Sequence, residues 1–297
     1  MSVLATIVQQ PALAYYYAQK AVRSVPLRRG LAKLVVGCAG RQPARPAPHP
    51  RGDHAAAQLR RDGLSLLPDD IFPAPAVAAV RAHLRGRPAV DQYDGVSTYD
   101  VDGPLPAHCT RLYYRGEDLL GCRELVDLAN HPLVLDAVGE VLGTRPTIGL
   151  FLAWWTLGEN FSGQLQYDDA YHRDVDDFRF VKLFVYLTDT DEHNGAHSFV
   201  RGSHRSELFT RRGIISDEQV RAHFPAQDIV TVKGPAGTAF LEDTWGIHRP
   251  LLATQGRRLI FSVLYGLTPW VAHGPGRPTL ALPPGLDPFV NRALFKV

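Results

Sequence analysis

The sequence predicts a mainly β protein, a barrel or sandwich flanked by helices towards its N-terminus. Two patterns carry this prediction. Up to residue 142 the apolar residues recur with helical spacing, and from residue 146 onward short runs rich in Val, Ile, Phe, Tyr and Trp alternate with Gly, Asp and Pro turns. The chain has 297 residues, of which 45% are hydrophobic and 21% charged, and this balance is typical of a soluble globular protein.

The first 52 residues are predicted to form a basic N-terminal arm. Residues 1–40 have helical character, and residues 41–53 (RQPARPAPHPRGD) contain four prolines, which favour an extended linker. Eight Lys and Arg but no Asp or Glu precede Asp53, whereas the remainder carries 24 basic and 30 acidic side chains, a net charge of −6. Such an arm could contact membrane phosphates or nucleic acid, but its basic residues are interleaved with Pro and Ala, which favours a solvated or partner-packed segment.

Cysteine content and hydropathy favour a cytoplasmic protein. The three cysteines are an odd number without C-x-x-C spacing, so neither a disulfide framework nor a thiolate zinc site is indicated. No apolar run approaches the roughly 20 residues that span a bilayer. We therefore expect no stable membrane insertion and no nucleic-acid partner, and the sequence leaves the oligomeric state open.

After the linker, residues 53–297 are predicted to form a single domain. Helical spacing marks residues 75–84, 123–129 and 132–142, the last with proline at its first helical position. Strands are then predicted over residues 147–156, 178–188, 197–200, 228–232, 237–241 and 257–266. The order, helices first and strands later, predicts a β core buttressed by N-terminal helices.

Candidate metal ligands lie on the predicted β half. His172 and Asp174 form an H-x-D tripeptide, and side chains two residues apart in an extended backbone point to the same side. His248 lies 74 residues later in the segment DTWGIHRP. Two histidines and one carboxylate on one face of a metal suit non-haem Fe(II) and oxygen chemistry. An H-x-D tripeptide also arises by chance, so the prediction depends on the three residues meeting in the fold.

An arginine follows the distal histidine by about ten residues. A guanidinium near an open metal face can hold a carboxylate with two hydrogen bonds, as needed for the far end of a dicarboxylate whose keto acid chelates the metal. Arg257 and Arg258 compete for this role, since they are adjacent in the strand RRLIFSVLYG and only one can face inward.

The residues from Ala170 to His204, AYHRDVDDFRFVKLFVYLTDTDEHNGAHSFVRGSH, resemble the phytanoyl-CoA dioxygenase family. The likeness includes the H-x-D motif, a lysine-bearing strand ending in YLTD, a glycine before an aromatic strand, and G-S-H. It resumes at GPAGTAFLEDTWGIHRP and the arginine of the last strand, and it covers roughly residues 147–267. The arm before Asp53 lies outside the resemblance.

This resemblance implies a double-stranded β-helix, the jelly roll of cupin-like barrels. It implies Fe(II) bound by His172, Asp174 and His248, with O2 and 2-oxoglutarate as co-substrates and Arg258 on the distal carboxylate. Further candidates for cosubstrate binding are Lys182, Trp245 and Gln166. Where the family often has a small hydroxyl residue, two positions after the distal histidine, this chain has Pro250.

The function predicted from these residues is oxidation of a C–H bond of a small molecule. Hydroxylation is the default outcome, oxidative cyclisation or desaturation would use the same ligands, and bacterial members of the family often act in specialised metabolism. The alternative is a non-catalytic cupin-like protein that binds a metal or small molecule. Candidate substrate contacts lie in one aromatic and basic loop: Tyr93, Tyr99, Arg111 and Tyr113.

Overall fold

Most helices in the described ranges share one hydrophobic core with the longer strands. The computed structural model describes residues 11–38, 48–161, 169–211, 213–269 and 280–296. Its helices are α1 (Pro11–Ala21), α2 (Val25–Cys38), α3 (Gly52–Asp62), α4 (Ala74–Leu84), α5 (Gly116–Leu120), α6 (Arg123–Ala129), α7 (Pro132–Leu142), α8 (Asp217–His223) and α9 (Pro288–Asn291). The three helices predicted after the linker are confirmed to within one residue. None of the helices in the described ranges is long and apolar enough to cross a membrane.

Strands dominate the second half of the chain, as predicted. They are β1 (Leu64–Leu66), β2 (Ala89–Asp91), β3 (Thr98–Tyr99), β4 (Arg111–Tyr113), β5 (Thr147–Leu157), β6 (Phe180–Tyr186), β7 (His197–Val200), β8 (Ile229–Val232), β9 (Ala239–Glu242), β10 (His248–Pro250) and β11 (Arg257–Gly266). The six predicted strands are confirmed within two residues at each end. Strands β1 to β4 and β10 were not predicted, because two or three residues are too few to show an alternation of apolar and polar side chains.

The strands form two antiparallel sheets. The larger has the order β1-β9-β6-β11-β5-β4-β2-β3, and the smaller has the order β10-β7-β8. Strand β11 is central, because it pairs with β5 along its whole length and with β6 over residues 260–266. The jelly-roll class predicted from the sequence is confirmed.

The two faces of β11 pack against different layers. Leu259, Phe261 and Val263 belong to the core beneath the helices. Ile260 lies in a separate cluster with Phe184, Tyr186 and Phe240 of the large sheet and Val232 of the small one. Residues of β11 that lie an even number of positions from Ile260 therefore face the space between the two sheets. The polar side chains of the candidate site, described below, lie in the same space.

Helices α1 and α2 pack against the β half. The hydroxyl of Tyr15 donates to Asp177 Oδ1 at 2.6 Å, and the Val25 amide donates to Glu207 Oε1 at 2.7 Å. Arg28 is only 3% exposed, and its guanidinium lies 3.9 Å from the ring centroid of Trp245. The described part of the arm is thus packed rather than solvated, and the division of the chain at residue 52 stays a prediction.

Candidate metal centre

Backbone pairing brings the H-x-D tripeptide to the distal histidine. The His172 amide donates to the His248 carbonyl at 3.0 Å, and the His248 amide donates back to the His172 carbonyl at 3.1 Å. The Asp174 amide donates to the Thr244 carbonyl at 2.9 Å. Residues 172–174 thus lie antiparallel to residues 244–248, and this pairing places the three predicted ligands together.

The ligating atoms of the three side chains converge. His172 Nε2 lies 3.7 Å from Asp174 Oδ1, and His248 Nε2 lies 3.4 Å from Asp174 Oδ2. All three donor atoms lie within 4.8 Å of one another. Ligands about 2.0–2.2 Å from one ion are separated by roughly these distances, so the donor set fits a divalent metal. It is the two-histidine, one-carboxylate set that leaves positions open for oxygen chemistry.

Both histidine rings are oriented by backbone carbonyls. His172 Nδ1 lies 2.8 Å from the carbonyl oxygen of Ala170, and His248 Nδ1 lies 3.0 Å from that of Gly246. A carbonyl oxygen only accepts, so each Nδ1 carries the proton in the neutral ring and each Nε2 presents its lone pair. This is the tautomer that a metal bound at Nε2 requires.

Lys182 supports the carboxylate ligand. Its ammonium lies 2.7 Å from Asp174 Oδ2 and 2.8 Å from Asp176 Oδ2. Burial alone would lower the pKa of Lys182, but the two carboxylates outweigh burial and raise it. For Asp174, burial opposes ionisation, yet Lys182 and the two histidines hold the pKa well below its ordinary value. The sequence placed Lys182 beside the cosubstrate, whereas the structure places it on a ligand of the metal centre.

A buried carboxylate behind His248 was not predicted. Glu242, at the end of β9, has no exposed surface, and its Oε2 lies 2.7 Å from His197 Nε2. Its Oε1 lies 3.7 Å from His248 Nδ1. Burial lowers the pKa of His197, which favours its neutral form. In the sequence, Glu242 is an acid at the end of an apolar strand and His197 is a histidine between Ala and Ser. Both patterns are too common for either residue to be predicted as part of the site.

The structure distinguishes the two adjacent arginines of β11. Arg258 is 1% exposed and lies on the same face of β11 as Ile260, two residues further along. Its Nη2 donates to Thr156 Oγ1 at 3.0 Å. Its Nη1 donates to the Gly195 carbonyl, while its buried Nε has no partner among the described residues. Burial lowers the pKa of Arg258 to about 10, so it remains charged at neutral pH. Arg257 lies on the surface, paired with Glu159.

A second arginine lies on the same face. Thr156 of β5 is the register partner of Arg258 on one side and of Arg111 of β4 on the other. Arg111 is 6% exposed and forms an ion pair with Asp169, three residues before His172. Of the predicted substrate contacts, Arg111 therefore lies in the interior near the proposed carboxylate anchor.

The tyrosines of the predicted substrate loop separate in the fold. Tyr113 stacks on Trp154, with ring centroids 5.7 Å apart. Tyr93 is 52% exposed, with its hydroxyl 2.9 Å from Thr110 Oγ1. Tyr99 packs against the core beneath the helices. Among these tyrosines, only Tyr113 lies on the same sheet face as Arg111, which is the face towards the interior.

Trp245, a further predicted cosubstrate residue, is not placed beside Arg258. Trp245 packs with Val25, Phe180 and Leu264, and Leu264 is six residues from Arg258 along β11, roughly 20 Å in an extended strand. This placement does not support a cosubstrate role for Trp245, because α2 covers its ring. Gln166 lies outside the described residues.

A second group of possible metal donors is chemically less suited. Asp91, His108 and Cys109 also lie within ligand distance of one another. The Cys109 thiol donates to Asp91 Oδ2 at 2.8 Å, and burial together with that carboxylate raises the pKa of Cys109 to about 12. A metal requires the thiolate, which this environment disfavours.

Comparison with known proteins places this site in a family. The family model described as phytanoyl-CoA dioxygenase (PhyH) matches residues 59–250, almost two thirds of the chain. The chain belongs to the phytanoyl-CoA dioxygenase family. It is therefore a non-haem iron dioxygenase that depends on 2-oxoglutarate and O2, and the predicted family and enzyme class are confirmed. No curated protein matched the chain.

Solved structures share the fold of this phytanoyl-CoA dioxygenase family member. The α-ketoglutarate-dependent epimerase SnoN from nogalamycin biosynthesis is 21% identical, with a TM-score of 0.51, and the match covers 72% of this chain and 81% of SnoN. EctD from S. alaskensis, with bound Fe, is 19% identical, with a TM-score of 0.51, and the match covers 87% of this chain and 89% of EctD. HygX from Streptomyces hygroscopicus, with nickel and 2-oxoglutarate bound, is 18% identical, with a TM-score of 0.50, and the match covers 82% of this chain and 95% of HygX. Identities this low establish a shared fold alone.

Proposed function

We propose that His172, Asp174 and His248 bind Fe(II), that Arg258 binds the distal carboxylate of 2-oxoglutarate, and that the enzyme oxidises a C–H bond of a small molecule. The observation that carries this proposal is the convergence of the three side chains, with both histidines held as the tautomer that ligates through Nε2. Hydroxylation is the proposed outcome, and cyclisation or desaturation would use the same residues.

The protein's own contribution is placement and exclusion of water. Iron with 2-oxoglutarate and O2 supplies the oxidising chemistry, as cofactors generally carry the difficult step. The carbonyls of Ala170 and Gly246 fix the imidazoles, and Lys182 fixes the carboxylate of Asp174. Burial of Arg258 in a low-dielectric interior strengthens its interaction with a carboxylate partner.

A small-molecule substrate is proposed from the interior residues near Arg258. Arg111 and the stacked pair of Tyr113 and Trp154 line the same sheet face. A guanidinium beside aromatic rings suits a polar or anionic compound with a ring or unsaturated group, the type of compound found in specialised metabolism. Because Arg111 is ion-paired with Asp169, the substrate would compete for or extend that pair.

Anaerobic binding of Fe(II) and 2-oxoglutarate tests the ligand assignment. We expect the visible charge-transfer band of the ternary complex in the wild type, no band in His172→Ala, and a band that requires far more 2-oxoglutarate in Arg258→Ala. The exposed residues His54 and Arg257 provide matched controls, since His54→Ala and Arg257→Ala should retain the wild-type band.

Succinate formation separates catalysis from mere binding. Oxygenation of the same samples should yield succinate in the wild type and both control variants, and none in His172→Ala. A folded, iron-loaded wild type that gives neither band nor succinate would support the cupin-like binding protein instead. If Arg257→Ala rather than Arg258→Ala weakens 2-oxoglutarate binding, the arginine assignment is wrong.

A further inference from the structure

A cavity of about 330 Å³ lies between helix α2 and the β half, and arginines dominate its lining. Five arginines from four segments of the chain line it: Arg28, Arg29, Arg60, Arg179 and Arg205. Asp243 is the acidic residue of the lining, with Trp245 forming part of the wall. The cavity contains none of the three proposed iron ligands, and its volume falls within the range of ligand-binding pockets.

Two of the arginines have structural roles. Arg28 donates to the carbonyls of Gln19 and Val22, at 2.7 and 3.0 Å, and stacks on Trp245. Arg60 donates to the Glu140 carbonyl at 3.1 Å. The contacts of Arg28 attach α2 to the body, and Arg60 connects α3 to α7.

The other three arginines remain available. The guanidinium groups of Arg29, Arg179 and Arg205 donate no hydrogen bond to any residue in the described ranges. Arg29 and Arg205 are exposed at the cavity rim, while Arg179 is half-buried. Three forked donors around one cavity provide more N–H groups than the protein itself uses.

The charge of the lining is poorly compensated. Burial lowers the pKa of Arg179, and repulsion from Arg29 and Arg60 lowers it further, although Asp243 acts in the opposite direction. Burial also raises the pKa of Asp243, which is the one acidic residue of the lining, whereas Arg60 has an ion pair with Glu140 outside it. A cluster of cations that repel one another in a partly desolvated cavity is stabilised by a bound anion.

We propose that this cavity binds a phosphate or diphosphate group through Arg29, Arg179 and Arg205. Tetrahedral oxyanions match the forked geometry of guanidinium groups, which bind phosphate through paired hydrogen bonds. The occupant joins Arg29 of α2 to Arg179 and Arg205 of the body, so its binding also holds the N-terminal helices in place. The group belongs either to free inorganic anion or to the phosphate ester of a larger molecule such as a nucleotide.

Thermal shift and isothermal titration calorimetry of the full chain test this site at constant ionic strength. Inorganic phosphate and inorganic diphosphate are the probes for the free anion, and adenosine 5′-diphosphate is the probe for an ester. We expect saturable binding with a rise in Tm, and a loss in affinity of about tenfold in Arg29→Gln and in Arg205→Gln. Both side chains are exposed, so these variants should fold normally.

Two controls locate the binding. Arg201→Gln removes an arginine that pairs with Asp228 outside the cavity and should leave affinity unchanged. His172→Ala should also bind normally, because the site is separate from the metal centre. Tighter binding of adenosine 5′-diphosphate than of diphosphate would identify an ester as the ligand, and the reverse would identify the free anion. Absence of a saturable shift with all three probes, or equal affinity in both cavity variants and the wild type, would overturn the proposal.

Discussion

At the scale of single residues, each proposed ligand of the metal centre has a contact with a group outside the ligand set. His172 and His248 use Nδ1 for a backbone carbonyl, and Asp174 pairs with Lys182. Such contacts fix both the orientation and the protonation state of a ligand, and their loss typically weakens metal binding by 10- to 100-fold. The carbonyls of Ala170 and Gly246 and the ammonium of Lys182 therefore orient the three side chains, although none of these groups is a proposed ligand.

Protonation of His248 should control metal affinity at acidic pH. Burial alone would lower the pKa of His248, but the carboxylate of Asp174 outweighs it and raises the pKa in the metal-free protein. A proton therefore competes with the metal up to a higher pH than for an ordinary histidine, and affinity falls as the pH drops through this pKa. Titration with Ni(II) between pH 5 and 8 should show about a tenfold loss per pH unit on the acidic side. A constant affinity over that range would contradict this prediction.

Removal of the Lys182 charge should make the protein depend on its metal. Lys182→Met leaves Asp174 and Asp176 close together without a cation, so the metal-free protein should lose about 3 kcal/mol of unfolding free energy. Added Ni(II) replaces part of the missing positive charge and should raise Tm more than in the wild type. Scanning calorimetry with and without Ni(II) measures both effects.

Lys233 provides the matched control for this experiment. It forms an exposed ion pair with Glu192, and pairs of this kind contribute little to stability. Lys233→Met should therefore change neither the stability nor the metal-induced shift. Equal shifts in Lys182→Met and the wild type would show that Lys182 does not compensate the charge of the site.

At the scale of elements, the site depends on the turn between β9 and β10. Residues 243–247 reverse the chain so that Thr244 and His248 both pair with residues 172–174. Gly246 lies in this turn, its carbonyl accepts from His248 Nδ1, and it packs against Phe199 of β7. The absence of a side chain at Gly246 thus allows the distal histidine and β7 to approach each other.

An added methyl group at Gly246 should disturb the metal centre from outside. In Gly246→Ala the new Cβ would lie 2.5 Å from the ring of Phe199, which is fully buried. Overpacking of this kind typically costs about 1–3 kcal/mol, and displacement of the Gly246 carbonyl should weaken Ni(II) binding about tenfold. Urea unfolding and metal titration measure the two effects. Gly116→Ala meets no atom within 4 Å and should change neither quantity, and wild-type metal affinity in Gly246→Ala would contradict the role of the turn.

At the scale of the whole molecule, the N-terminal helices complete the burial of the β half. Asp177 is fully buried, and its carboxylate accepts from Tyr15 of α1 as well as from the amides of Phe178 and Leu267. Trp245 is covered by Arg28 of α2. Two basic residues of the arm therefore have a local structural use, because Arg28 lies against an aromatic ring and both Arg28 and Arg29 line the cavity described above.

Deletion of residues 1–48 should destabilise the enzyme and expose apolar surface. The truncated chain loses the Tyr15–Asp177 hydrogen bond and the cover of Trp245, a loss of about 3 kcal/mol or more. Urea unfolding midpoints and binding of a hydrophobic dye measure this. Arg28→Ala should reproduce much of the effect, whereas Leu34→Ala, at a position 63% exposed, should not. An unchanged midpoint after deletion would mean that the helices add nothing to stability.

The sequence by itself determined the class of fold, most strand positions and the three candidate ligands. These follow from local regularities, because a change from helical to twofold spacing and an H-x-D tripeptide are visible within a few residues. A two-residue strand such as β3 carries too little pattern to be predicted. The cover of Trp245 by Arg28 was also not predictable, because the two residues lie more than 200 positions apart in the chain.

Only the tertiary structure decided which of the adjacent arginines faces inward, where Lys182 is used, and that Glu242 lies behind His248. The pairing of β11 with β5 and β6 decides which face of the sheet Arg258 lies on. The packing of residues 172–176 over β6 decides that Lys182 contacts Asp174. The lining of the arginine cavity draws on six separate segments of the chain. These arrangements depend on contacts between residues far apart in the chain, which no local spacing encodes.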